Sequence, residues 1–141
     1  TNILLRRTQP SHPDHTAALE SVAQLLATGE SVYFALQNAS EFWNVAIRPI
    51  ANNGLGFSAA MTLREIEKIE RSLLLLPESP AIYLEWKRLV VKHAVTGVKV
   101  HDARLVAAMN VQGIRRVLTF NTDDFARYEI EVVHPSSFLR D

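Results

Sequence analysis

Short aliphatic and β-branched runs recur between longer helical stretches, and this alternation constrains the fold more than any other feature of the chain. Ser31-Val32-Tyr33-Phe34-Ala35-Leu36, Leu73-Leu74-Leu75-Leu76, Arg116 to Thr119 and Ile130 to Val133 are each too short for a helix and read as buried strands. Between them lie apolar residues at helical spacing. Ala18, Leu19, Val22, Leu25 and Leu26 mark one helix, stopped by Gly29. A second carries Phe42, Val45 and Ala46 and ends at Arg48-Pro49, because proline disfavours helical geometry in the residue before it. Ser58 caps a third, and its many charges form a solvated face. Ser79-Pro80 opens a fourth, which carries Ile82, Trp86, Leu89, Val90 and Ala94 on one side and ends at Thr96-Gly97; a fifth runs from His101 to Gly113. Thr1-Asn2 reads as the cap and first turn of a further short helix. Strands alternating with helices predict an α/β fold, a parallel sheet with helices on both faces, in one domain over residues 1–141.

Composition narrows the function classes. Lys+Arg and Asp+Glu number 15 each, so the net charge is zero and a generally basic nucleic-acid binder is excluded, though a local basic patch is not. With no cysteine there is no disulfide framework, thiolate metal site or cysteine nucleophile. No apolar run reaches a membrane span and no signal peptide opens the chain, so a cytoplasmic address is expected. His12 and His15 lie close together, but no third ligand is near them in sequence. Asp14 is placed to cap the following helix, and Asn52-Asn53-Gly54-Leu55-Gly56 reads as a mobile turn-rich connection.

The acids follow one rule. Glu41 lies just beyond the strand 31–36, Asp102 opens the helix before strand 116–119, and Asn121, Asp123 and Asp124 lie just after that strand. In a parallel sheet these points share an edge, which is where ligands bind. Oxygen ligands without His or Cys suit Mg²⁺ or Mn²⁺, and such ions serve attack on a phosphodiester. Each acid also has a structural alternative: Asp102 as a helix cap, Glu41 as the far end of a capping box begun by Asn38.

At this point the residues resemble the PIN-domain ribonucleases, in particular VapC-like toxins of toxin–antitoxin pairs. Thr1-Asn2-Ile3-Leu4-Leu5 resembles the family's opening motif without its leading Asp. Ser40-Glu41-Phe42-Trp43-Asn44-Val45 with Arg48-Pro49 resembles the segment of the second acid, and His101-Asp102-Ala103-Arg104-Leu105-Val106 that of the third. Leu118-Thr119-Phe120-Asn121-Thr122-Asp123-Asp124-Phe125 resembles the fourth, which selects Asn121 and Asp124 and leaves Asp123 a bystander.

The resemblance implies a three-layer α/β/α sandwich with a mainly parallel twisted sheet, whose first, central strand would precede Thr1 and end in the first acid. It implies a Mg²⁺/Mn²⁺-dependent endoribonuclease with Glu41, Asp102 and Asp124 on the metal, Asn121 completing the site, and Asn2 and Thr119 in support. Arg6, Arg7, Lys99 and Arg104 become candidates for RNA phosphates. The implied partners are an antitoxin protein and a second copy of the chain, with the helices of residues 58–95 as the docking surface. A catalytically silent PIN-like binding module is the alternative, and a phosphatase-like or receiver-type α/β domain a third.

Overall fold

Local chemistry explains where most helices start and stop in this computed structural model, which describes residues 1–139. The elements run α1 (Asn2–Arg7), α2 (His15–Ala27), β1 (Tyr33–Phe34), α3 (Leu36–Ile47), α4 (Ala59–Ser72), β2 (Leu74–Leu75), α5 (Pro80–Lys92), α6 (Val100–Gln112), β3 (Arg116–Leu118) and β4 (Glu131–Val133). The chain divides into two compact units: Thr1–Leu75 with the segment beginning at Pro135, and Leu76–His134.

In the first unit α1 packs on α2 and α3, α3 on α4, and α2 on the 3-10 turn Pro135–Phe138. Ile3, Leu4, Ala18, Val22, Phe42, Ala46, Ile69 and Leu73 are buried here, Phe42 completely. Gln24 reaches across to donate to the Phe138 carbonyl at 2.6 Å. β1 and β2 form a parallel ladder, Tyr33 opposite Leu74 and Phe34 opposite Leu75.

Several expectations are corrected here. The first strand is two residues long because the Asn38 side-chain oxygen accepts the Ala35 N–H at 2.8 Å, which ends the ladder and starts α3. Asn38 is therefore the third residue of α3 rather than its cap, and Glu41 lies a full turn inside the helix, outside any capping box. Of the four leucines at 73–76, only Leu73 and Leu76 are buried; Leu74 and Leu75, which form the strand, are 51% and 56% exposed. A strand with one partner buries much less of its surface than one flanked on both sides. Asp14 precedes α2 at φ −88°, ψ 2°, outside the extended geometry that lets an Asp cap, and its side chain makes no cap bond.

The connection at 50–57 is held firmly. Leu55, Gly56 and Phe57 donate backbone bonds to the carbonyls of Val45, Arg48 and Ala46. Gly54 is required there, since a Cβ would stand 2.0 Å from the Arg48 carbonyl oxygen. Ser58 caps α4 as read, accepting the Met61 N–H at 3.1 Å.

In the second unit α5 packs on α6 around Leu89, Ala103, Val106, Ala107, Phe125 and Tyr128. Ala103 and Ala107 are fully buried, and such small side chains allow the helices a close approach. Ser79-Pro80 opens α5 as expected, but the helix ends at Lys92, four residues before the predicted Thr96, where the chain turns through Ala94 at φ 49°. Gly113 ends α6 in the left-handed region at φ 73°. β3 and β4 pair in parallel, Arg116 with Glu131, Val117 with Val132 and Leu118 with Val133. Among the described residues the four strands thus form two two-stranded parallel ladders. No helix among them is long and apolar enough to cross a membrane.

Candidate metal and nucleic-acid site

In the second unit the site is built on the exit from β3. Thr119 is buried and extends the ladder by one bond, donating its N–H to the Val133 carbonyl at 3.0 Å. Its hydroxyl accepts the Asn121 N–H at 3.1 Å and so turns the chain sharply. The 3-10 turn Thr122–Phe125 follows, with Phe125 anchored in the core. The anchor leaves Asp123 exposed and Asp124 half-buried. Asp124 accepts a charge-assisted hydrogen bond from the Lys99 ammonium.

Lys99 ends the 3-10 turn Gly97–Lys99 that leads into α6. The Trp86 indole fixes this junction by donating to the Val100 carbonyl at 2.9 Å. Asp102 is the third residue of α6 and half-buried; the residue at the capping position is Lys99. The Lys99 ammonium is held above its ordinary value, first by the hydrogen bond to Asp124, then by the charges of Asp124 and Asp102, against desolvation and Arg127. Two carboxylates therefore favour positive charge at one position. The Tyr128 phenol is pushed up mainly by burial, with Arg127 lowering it and Asp102 raising it. Arg104 reaches Glu78 at 3.4 Å, and both side chains are about half exposed.

In the first unit Glu41 is exposed and accepts a hydrogen bond from the Thr1 hydroxyl at 2.8 Å. Asn38 donates to the same hydroxyl at 3.3 Å, so its amide orders both the start of α3 and the partner of Glu41. Asn2, the first residue of α1, is half-buried. Arg6 donates to Gln9 at 2.7 Å. Arg7 is half-buried; burial lowers its guanidinium from the ordinary value, and Glu65 partly restores it. The two histidines serve the loop: a His12 ring nitrogen accepts the Asp14 N–H at 3.0 Å, and a His15 ring nitrogen bonds the Arg6 carbonyl at 2.8 Å.

Two contributors escaped the sequence reading. Asn38 was placed as a cap and is instead the residue that orders Thr1 beside Glu41; its i,i+3 spacing from Glu41, which shares a helix face, was the available signal. Lys99, a candidate phosphate contact, also serves as the counter-ion of Asp124, 25 residues away, for which no local signal exists.

Among the described residues no three or more His, Asp or Glu side chains gather as a metal cluster. Within the second unit Asp102, Asp124 and Asn121 are oxygen donors of the kind a hard cation takes, and Asp124 with Asp102 already favours positive charge at Lys99. Neither curated proteins nor solved structures yield a match to the chain. The sequence model of the PIN domain family matches residues 1–131, and proteins of that family are generally metal-dependent nucleases. Matched over nearly its whole length, the chain belongs to the PIN domain family.

Proposed function

We propose that this protein is a Mg²⁺/Mn²⁺-dependent endoribonuclease, the VapC-like toxin of a toxin–antitoxin module, folded over residues 1–141 as one PIN-like α/β/α sandwich. The observation that carries the reading is the family match, joined to the retention of Glu41, Asp102 and Asp124 as acids. Glu41, Asp102 and Asp124 would hold the metal, and Asn121 would orient water or ligand beside them. When bound, the ion supplies charge neutralisation at the phosphodiester and a more acidic water. Thr119 positions Asn121 through its backbone N–H, and Asn2 lies at the start of α1 as a further support. Lys99 and Arg104 flank Asp102 in sequence and offer positive charge to the RNA backbone. Arg6 and Arg7 are further phosphate contacts in this reading.

An antitoxin that covers the site, a homodimer and a cytoplasmic address complete the reading. The exposed Leu84 and Val91 of α5 and, separately, Leu63 of α4 support a protein partner.

One observation favours the silent-module alternative: the Lys99 ammonium already neutralises Asp124. Incubating the protein with structured RNA and Mn²⁺ separates the two. Cleavage that disappears in Asp102→Asn supports the enzyme; binding without cleavage supports the module.

A further inference from the structure

We propose that the pocket between the first turns of α5 and α6 is a nucleobase-stacking subsite for single-stranded RNA. The proposal rests on the reading of Asp102 as part of the nuclease site. The cavity measures about 420 Å³ and is lined by Ile82, Tyr83, Trp86, His101 and Arg104, with Glu78 also on its wall. That volume lies within the range of pockets that take small planar ligands, about 300–1,000 Å³.

Its chemistry favours a base. Tyr83 and Trp86 lie stacked, with ring centroids 6.3 Å apart and planes 28° from parallel. The Trp86 N–H is committed to the Val100 carbonyl at 2.9 Å, so the indole is held in one orientation and offers the pocket its π-surface. Tyr83 is 59% exposed, so part of its ring is open to a ligand. Bases stack on such rings whatever their sequence.

Positive charge beside the Tyr83 ring and on the cavity wall extends the case from a planar ligand to a nucleotide strand. The Lys87 ammonium lies 5.4 Å from the Tyr83 ring centroid. Arg104 is held by Glu78 through a long, solvent-exposed contact of 3.4 Å, weak enough for a phosphate to displace. His101 lines the cavity and directly precedes Asp102. A base stacked on the exposed part of the Tyr83 ring, at the mouth of the cavity, therefore delivers the neighbouring phosphodiester to the start of α6.

The test is fluorescence anisotropy of a labelled single-stranded hexaribonucleotide with the full chain in EDTA, so that binding is measured without metal or cleavage. Tyr83→Ala should weaken binding by about 5-fold to 100-fold, and Tyr83→Phe should retain it. An oligonucleotide with abasic sites should bind more weakly and lose its sensitivity to Tyr83→Ala. Equal binding by parent and Tyr83→Ala, with the variant's melting temperature unchanged, overturns the subsite. So does affinity that falls only because a dimer dissociates, which assigns the face to a second copy of the chain. The nuclease reading fails separately. Tyr83-dependent binding with no Mn²⁺-dependent cleavage keeps the subsite and removes the enzyme. Cleavage with KM unaffected by Tyr83→Ala removes the subsite and keeps the enzyme.

Discussion

Replacing Thr119 by Val tests how the turn that carries Asn121 and Asp124 is held. Val has nearly the shape of Thr and fills the same buried volume, so packing is preserved while the hydroxyl that accepts the Asn121 N–H at 3.1 Å is lost. A neutral hydrogen bond of this kind contributes about 1 kcal/mol net. Asn121 is exposed, so water can take up its N–H and the full penalty of a buried orphan does not apply. A loss of about 1 kcal/mol, or roughly 3–5 °C in melting temperature, is expected. The local readout is sharper: hydrogen exchange at the Asn121 amide should speed up by about 5-fold to 10-fold. Thr119→Ser keeps the hydroxyl and loses one methyl, about 0.8 kcal/mol. It should destabilise comparably while leaving Asn121 exchange near the parent's. Because Asn121 and Asp124 belong to the proposed metal site, Val should also reduce Mn²⁺-induced stabilisation and Ser should not. Unchanged Asn121 exchange in the Val variant would refute the positioning role.

Asp102→Asn should nearly abolish Mn²⁺-dependent cleavage while changing the stability of the metal-free protein little, because the attraction it loses, to the exposed Lys99 ammonium, is screened by solvent; Mn²⁺ should then raise the variant's melting temperature less than the parent's. Lys99→Met removes the ammonium from Asp124 and should tighten Mn²⁺ binding by up to about 5-fold, read by calorimetric titration; weaker binding would count against competition at that carboxylate. Glu85 is held below the ordinary carboxylate value, first by its hydrogen bond from Arg88, then with help from Asn110 and nearby positive charge, against desolvation. Its contribution is therefore present above the unfolded value of about 4.3 and lost as pH falls through the lower folded value. Glu85→Gln should flatten the acid limb of a melting profile between pH 6 and pH 3, and an identical slope would remove Glu85 as its cause. Phe42→Ala, at a fully buried ring, should cost about 3–5 kcal/mol in urea denaturation.

What was legible in the sequence was local. The Ser58 cap, Pro80 in the first turn of α5 and the stop at Arg48-Pro49 each depend on one or two neighbouring residues, and each stands where it was read. Strand extent was illegible because it depends on partners elsewhere: Asn38 withdraws the Ala35 N–H from any ladder, and no period in 31–36 reveals that. The leucines at 73–76 look uniformly buried as a string, whereas their exposure depends on how many strands flank them. At the candidate site the acids could be named as candidates from their places near the ends of strands and the starts of helices. Their immediate company could not, since Thr1 meets Glu41 across 40 residues and Lys99 meets Asp124 across 25.

The β1–β2 ladder also bears on how the protein behaves at high concentration. Tyr33, Leu74 and Leu75 give it an apolar surface on strands only two residues long, with no Lys or Pro among the four paired residues. Natural proteins use such residues as gatekeepers against edge-to-edge association. The chain's balanced charge and isoelectric point near 6.9 remove the long-range repulsion that would otherwise keep molecules apart at neutral pH. Its colloidal solubility should pass through a minimum near pH 7 and recover on either side.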